Sequence, residues 1–405
     1  MTAAQEASAV RVVPAWRGGF GRLWTAAVVS RFGDALRGAA LPLLAASLTD
    51  DPLLVASVTA CGYLPWLLFG LLGGTVADRV DQRRAMWAVD LVRAALVAGF
   101  AVAVALGDAS IALLLGLAFA LTTLQTLFDN AATALLPSVV PAGALAGANA
   151  RLMTGQQIAG GALGAPLTPV LLAAGAAVPY AVDAATYLLG ALLLGGLRTE
   201  APDRPPRPAG STLRAETAEG LAVLWRDRAL RRLCLATTLC NVGMGALIAT
   251  LVLHVTGWLG GGDDAYALVL TAYAAGSVGG GLLARRLAER TGRIRAVFLA
   301  GLVQTGCLVV MGTVHSLVAT AGAMAVFGVM GTVWNTNQVT LMQERAPEGM
   351  IGRISAAFRT LAVAGAPLGA LLGGAAAAGI GLNTPALLAA ALFACAVACL
   401  ARRIN

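Results

Sequence analysis

Lysine is missing altogether. All 28 basic residues are arginine, which reads as a coding bias with no mechanistic weight. Histidine occurs only at His254 and His315, and no acidic cluster stands out, so a polytopic membrane enzyme such as a lipid or prenyl transferase lacks the side chains for its metal or acid/base chemistry. No glycine-rich phosphate loop supports a pump driven by ATP. The cysteines (Cys61, Cys234, Cys240, Cys307, Cys395 and Cys399) lie inside apolar runs without metal-ligand spacing, so they read as free, buried thiols, and neither a metal nor a cofactor is expected. The amino terminus lacks a charged stretch leading into a short apolar core and a small-residue cleavage site, so no cleaved signal peptide is expected. Charge itself is scarce, at 12% of 405 residues, and aromatics supply only 5%.

What remains is apolar and small. Hydrophobic residues make up 58% of the chain, mean hydropathy is +0.79, and 49 glycines accompany a mass of Ala, Leu and Val. That balance excludes a soluble domain and fits helices packed closely in a bilayer. A helix needs about 20 apolar residues to cross the hydrocarbon core. Cutting the chain at its charged or Gly/Pro-rich breaks predicts spans at 22–48, 53–77, 85–106, 110–136, 148–174, 177–197, 230–258, 264–288, 295–314, 316–342, 352–377 and 383–401. The expected fold is therefore an all-α polytopic membrane protein with twelve transmembrane helices, six on each side of a polar segment.

Arginine predicts orientation. Arg11, Arg17 and Arg22 stand at the start of the first span, Arg79, Arg83 and Arg84 follow the second, eight arginines lie from Arg198 to Arg232, and five from Arg285 to Arg295. The alternate loops TDDP, GDAS and GGGDD carry none. The positive-inside rule puts both termini and the central segment in the cytoplasm of a multi-pass cell-membrane protein, although the loop after span four has no Arg before Arg151. The net charge of +8 is thus topological, and a nucleic-acid partner is not expected. Residues 199–210 read as a Pro-rich tether, and a helix from Ser211, carrying Leu213, Leu221, Leu224 and Trp225, is predicted to lie on the cytoplasmic membrane surface.

The chain also repeats itself. GGTVADR at 73–79 returns as GGLLARR at 280–286, 207 residues later; Pro141 and Thr154 match Pro347 and Thr360 at an offset of 206. This predicts two related halves, 1–197 and 230–405, joined by a linker at 198–229. Duplicated halves place a binding site at their interface and let access alternate by rocking.

The stretch GGTVADRVDQRR is similar to the loop motif after the second helix of the major facilitator superfamily. Gly74, Asp78, Arg79, Arg83 and Arg84 match it, whereas Asp81 and Gln82 stand where many members have Gly and Arg. SRFGDALRGAALPLL, PYAVDAATYLLGALLL and TLRAETAEGLAVLWRDRALRRL resemble the exporter branch with macrolide-efflux and siderophore-exporting members. The resemblance implies a conformational latch at Gly74, Asp78, Arg79, Arg83 and Arg84 that favours the outward-facing state. GGALGAP at 160–166 and AGAPLGALLGG at 364–374 resemble an antiporter-associated glycine-proline motif, with Ala165 inserted in the first. Close packing and bending is the physical role of such runs.

Ionisable residues within spans are functional candidates. Arg31, Asp34 and Arg37 lie three apart near mid-bilayer, and Asp183 sits between Tyr180 and Tyr187. These four are the proton-coupling candidates. Burial favours a neutral Asp34 while the flanking arginines favour its charge. A cationic or polar substrate could compete for the carboxylate. The competing reading is a permanent structural cluster, which is preferred for Asp90, Arg93 and Asp129. The second half offers neutral groups instead, and Asn241, Trp334, Asn335, Asn337 and Gln338 are candidates to line a substrate cavity, with Arg353 and Arg359 opening span eleven. His254 reads as an interfacial histidine. The expected function is that of a monomeric secondary transporter exporting a small, largely apolar organic compound in exchange for protons. An importer or uniporter on the same fold is the alternative.

Overall fold

The structure is a computed structural model that describes residues 19–69, 81–140, 144–197, 213–347 and 350–401. Among them every regular element is a helix, which satisfies its own backbone hydrogen bonds where lipid offers no partner. In the first half these are α1 (Gly19–Leu48), α2 (Pro52–Phe69), α3 (Gln82–Leu106), α4 (Ile111–Val139), α5 and α6 (Val178–Gly195). Helix α5 runs in three consecutive pieces, Leu145–Gln157, a π-helical stretch Ile158–Gly164, and Ala165–Ala174. A linker helix α7 (Leu213–Arg226) leads to α8 (Arg228–Leu253, ending in a π-helical turn His254–Trp258), α9 (Asp263–Thr291), α10 (Arg293–Thr313), α11 (Leu317–Arg345), α12 (Ile351–Gly379) and α13 (Thr384–Ala401).

Each predicted span has its helix. Eight helices are long and apolar enough alone, and α5 and α9, bent by 47° and 51°, qualify as bent pairs. Helices α1 and α2 complete the set; α1 carries Arg22, Arg31, Asp34 and Arg37, and α2 is described only to Phe69. Gly175–Ala177 does separate α5 from α6, with Val178 N donating to Gly175 O at 3.0 Å. Short polar caps end the runs: Ser110 accepts from Leu113 N, Asp81 from Arg84 N, and Gly292, at φ 83°, turns the chain between α9 and α10.

The packing is repeated. In the first half α1 lies on α5 and α6, α3 on α4 and α6, and α2 on α4; in the second, α8 lies on α12 and α13, α10 on α11 and α13, and α9 on α11. The glycine runs explain the closest approaches. A Cβ at Gly369 would sit 1.9 Å from Val242 O, and one at Gly373 would sit 2.6 Å from Ala246 Cα, so α12 touches α8 backbone to backbone. Gly164 leaves the same room against Ala35, 2.6 Å from where its Cβ would stand, which holds α5 to α1. The halves meet where α2 packs on α12 and α8, and α5 on α9. Ala56, Ala60, Ala249 and Ala370 form a small core there. Gly374 backs onto Leu53 and Pro52 at the end of the bundle with the Arg-free loops.

Three expectations need amending. Helix α7 does not simply lie on a membrane surface: it docks on the start of α12, with Leu224 fully buried, Gly220 against the Arg353 backbone, and Glu219 paired with Arg353. The cysteines are not all buried, because Cys395 is exposed on α13, while Cys234, Cys240 and Cys307 are buried. His254 is 2% exposed, with Nδ1 3.3 Å from Leu382 O and its ring 4.7 Å from Trp258, so it is packed within the protein.

Candidate functional site

A polar cluster crosses the first half. Helix α1 brings Asp34 and Arg37 to face α6, because Gly33 has no side chain to hold the helices apart: a Cβ there would meet Asp183 Oδ1 at 2.4 Å. Arg37 donates through Nε to Asp183 and through Nη2 to Asp34, 2.8 Å in each case. Tyr187, one turn beyond Asp183, donates its hydroxyl to Asp34 and lies 3.3 Å from Arg37 Nη2. Arg31 is a looser partner, 3.8 Å from Asp34 with its side chain 53% exposed. The candidates Arg31, Asp34, Arg37 and Asp183 are thus all brought to one place.

The network continues into α3 and α4. Arg93, buried with its guanidinium 5.3 Å from the Tyr187 ring centroid and 5.1 Å from that of Phe128, pairs with Asp90 at 3.2 Å. It also donates to Gln125, which donates in turn to Asp129 at 2.7 Å. Among the described residues, the carboxylates Asp34, Asp90, Asp129 and Asp183 and the guanidiniums Arg31, Arg37 and Arg93 are thus linked in one network, Asp129 through Gln125. Asp90 and Arg93 do form the neutralising pair expected of them, but inside this wider cluster. Tyr187 and Gln125 are members that spacing alone did not single out, although Tyr187 at i+4 from Asp183 was a usable sign.

Two adjoining chambers open in the bundle, one between the halves and one mainly within the second half. The first, about 720 Å³, is walled by α1, α2, α4 and α5 on one side and by α8, α9 and α11 on the other. The second, about 660 Å³, is lined mainly by α8, α11 and α12 and shares Ile248, Tyr273, Gly331 and Asn335 with the first. Both volumes suit a drug-sized molecule. Exposed Met153, Gln157, Asn335, Thr336 and Arg359 line the chambers. Arg37 connects cluster to chamber, since it lines the first and holds both acids. A pocket of about 190 Å³ beside Asp34, Arg93 and Asp129 gives the cluster its own recess.

Of the cavity candidates, Asn241, Trp334, Asn335 and Gln338 line the second chamber. Asn241 donates to Ala362 O at 2.8 Å, and Gln338 accepts from Thr237 and Trp334 at 2.9 Å each. Asn337 does not line it. It is 1% exposed and donates to Val333 O and, at 3.4 Å, to Ala284 O, so it ties α11 to α9. Gly74, Asp78 and Arg79 lie outside the described residues. Of the remaining latch candidates, Arg83 donates to Leu197 O at 2.5 Å, and Arg84 lies 3.6 Å from Asp81.

The family model for the Major Facilitator Superfamily matches residues 23–370. The chain belongs to that superfamily. It is a multi-pass membrane transporter and not an enzyme. Macrolide efflux protein A of Streptococcus pyogenes is 23% identical over 398 residues, covering 95% of this chain and 96% of that protein. An uncharacterized MFS-type transporter of Mycobacterium tuberculosis is 34% identical over 125 residues, and the match spans only 28% of that relative's length and 30% of this chain. Among solved structures, the D323A mutant of the nucleoside transporter NupG superposes with a TM-score of 0.76 at 11% identity, covering 95% of this chain and all of that one. The transporter thus shares the superfamily fold over nearly its whole length.

Proposed function

We propose that this transporter exports a small, largely apolar organic compound from the cytoplasm in exchange for protons, by alternating access. Arg37, bridging Asp34 and Asp183 at the chamber wall, carries this reading. In a low-dielectric setting two carboxylates close together cannot both stay charged once their shared guanidinium leaves, which favours uptake of one proton. When Arg37 is drawn toward the chamber, Asp34 and Asp183 lose their common cation and take up a proton; its return releases one. Asp34, Arg31, Arg37 and Asp183 are the coupling residues on this reading.

The positive-inside rule places the Arg-rich ends, and so both termini, in the cytoplasm. With the halves in contact near the Arg-free loops, the arrangement is inward-facing, residues 1–197 and 230–405 rock against each other, and Gly74, Asp78, Arg79, Arg83 and Arg84 form the latch of the opposite state. The relative named for macrolide efflux makes a macrolide a sensible first cargo. The test is transport in proteoliposomes under an imposed pH gradient, screened with a macrolide and with neutral naphthyl alcohols. Asp34→Asn and Asp183→Asn, at matched incorporation, are expected to bind cargo but lose its gradient-driven accumulation. Accumulation at the normal rate in both variants would show that neither acid carries the proton.

A further inference from the structure

Charged groups of one sign face the two chambers. Among the described residues that line them, the charged side chains are Arg37 and Arg359, and no Asp or Glu is present. Arg37 is engaged by Asp34 and Asp183. Arg359 is not: among the described residues it makes no ion pair, is exposed, and lies with its guanidinium 6.0 Å from the Trp66 ring centroid. Helix α12 begins at Ile351, so Arg359 stands about 12 Å along it at the usual rise. A guanidinium at that depth is costly unless it faces a water-filled cavity and has work to do.

Its surroundings fit an acceptor-rich partner. The indole N–H of Trp334 can only donate, so the atom of Gln338 that it meets at 2.9 Å is the carbonyl oxygen. The Gln338 amide N–H₂ is therefore the end left for the second chamber, which Asn335 also lines. Phe358, Phe393 and Met244 supply apolar wall beside them. A fixed cation with neutral donors and apolar surface suits a carboxylate on a hydrophobic body, because the guanidinium fork matches a carboxylate in geometry and charge.

We propose that Arg359 is the anion-recognising residue of the second chamber, and that the cargo is an apolar organic molecule bearing one carboxylate or comparable anionic group. The proposal rests on the export reading given above and narrows its substrate class. It differs from a cation-selective cavity, for which a carboxylate on the wall would be needed. Trp66 belongs to α2 and Arg359 to α12, so an anion that draws Arg359 off the Trp66 ring also replaces a contact between the two halves.

The experiment places a single cysteine at Ser355, on the wall of the same chamber, in a protein whose native cysteines are replaced, held in phosphatidylcholine nanodiscs. Its modification rate is measured with an anionic sulfonatoethyl methanethiosulfonate and with its cationic trimethylammonium counterpart. The ratio of anionic to cationic rates is expected to fall about tenfold in Arg359→Gln and to be kept in Arg359→Lys, as for loss of one nearby charge. Added 2-naphthoate is expected to protect the thiol where 2-naphthylmethylammonium does not, and to do so only while Arg359 is present. Equal ratios with and without Arg359, better protection by the ammonium compound, or no protection by naphthoate would overturn the proposal. Protection confined to discs containing phosphatidylglycerol would also overturn it, by assigning the site to a lipid headgroup. A thiol that neither reagent reaches would instead remove the open chamber, and with it the export reading.

Discussion

Replacing Arg37 by glutamine removes the one cation that Asp34 and Asp183 share. Two charge-assisted hydrogen bonds at about 1.5–3 kcal/mol each set the scale of what is lost. Both contacts measure 2.8 Å, Asp183 is fully buried, and the Arg37 side chain is 15% exposed, so solvent compensates little. Removing one partner of a buried ion pair costs about 3–5 kcal/mol because the other charge is stranded, and that is the destabilisation expected of Arg37→Gln. Asp183→Asn strands far less, since it leaves Arg37 bound to Asp34. In the double variant only Asp34 has lost Arg37, while Arg31 stays 3.8 Å away and Tyr187 still donates to it. The double variant should therefore be more stable than Arg37→Gln alone, with a coupling of about 1–3 kcal/mol between the sites. Equilibrium unfolding in mixed micelles of the four proteins closes the cycle. Additivity within about 0.5 kcal/mol would refute the shared-cation account.

Asp227 caps α8 by accepting from Ala229 N and Leu230 N; partial burial opposes its charge, but these donors and Arg345 outweigh that and hold its carboxyl below the ordinary value. A depressed folded-state value means that this contribution is complete above the ordinary value of 3.8 and is lost as pH falls through the lower folded one, so amide exchange at Ala229 and Leu230 should accelerate there. At neutral pH, Asp227→Ala should cost about 1 kcal/mol in local exchange. A cysteine placed in 199–210 should react only with reagent supplied from the cytoplasmic side, and labelling of intact cells from outside would reverse the orientation. Gly369→Leu should abolish monodisperse protein, because its Cβ would stand 1.9 Å from Val242 O, whereas Gly279→Leu, with nothing within 4 Å, should not.

The spans were legible because a bilayer imposes its thickness on composition, and a one-dimensional run of apolar residues is enough to locate a helix. Contacts between helices were less so. Asp34 and Asp183 could each be picked out as ionisable groups in lipid, but that a single guanidinium binds both depends on α1 and α6 closing over Gly33, across 146 residues of chain. Asn337 shows the opposite failure: it is as polar as Asn335, yet α11 turns it toward α9, and polarity alone carries no direction. Helix α7 was legible as amphipathic, but an apolar face does not say whether lipid or protein will cover it; here Leu224 is covered by protein and Trp225 is half exposed.

The division of polar chemistry between the halves has a physical consequence. A proton site must be shielded from water to keep a carboxylate's charge sensitive to its neighbours, whereas a recognition site must be wet and open enough for cargo to enter. The first half buries Asp90, Asp183 and Arg93 almost completely, and the second presents Arg359, Asn335 and Gln338 to a chamber of about 660 Å³. Arg37 is the member of the buried cluster that also lines a chamber, so any influence of cargo on the acids has to pass through its guanidinium or through the rocking that moves α1. An anionic cargo attracts Arg37 as well as Arg359. Drawing Arg37 off Asp34 and Asp183 while cargo is bound would favour their protonation and oppose exchange, so export against protons requires Arg37 to stay on the two acids while Arg359 holds the anion.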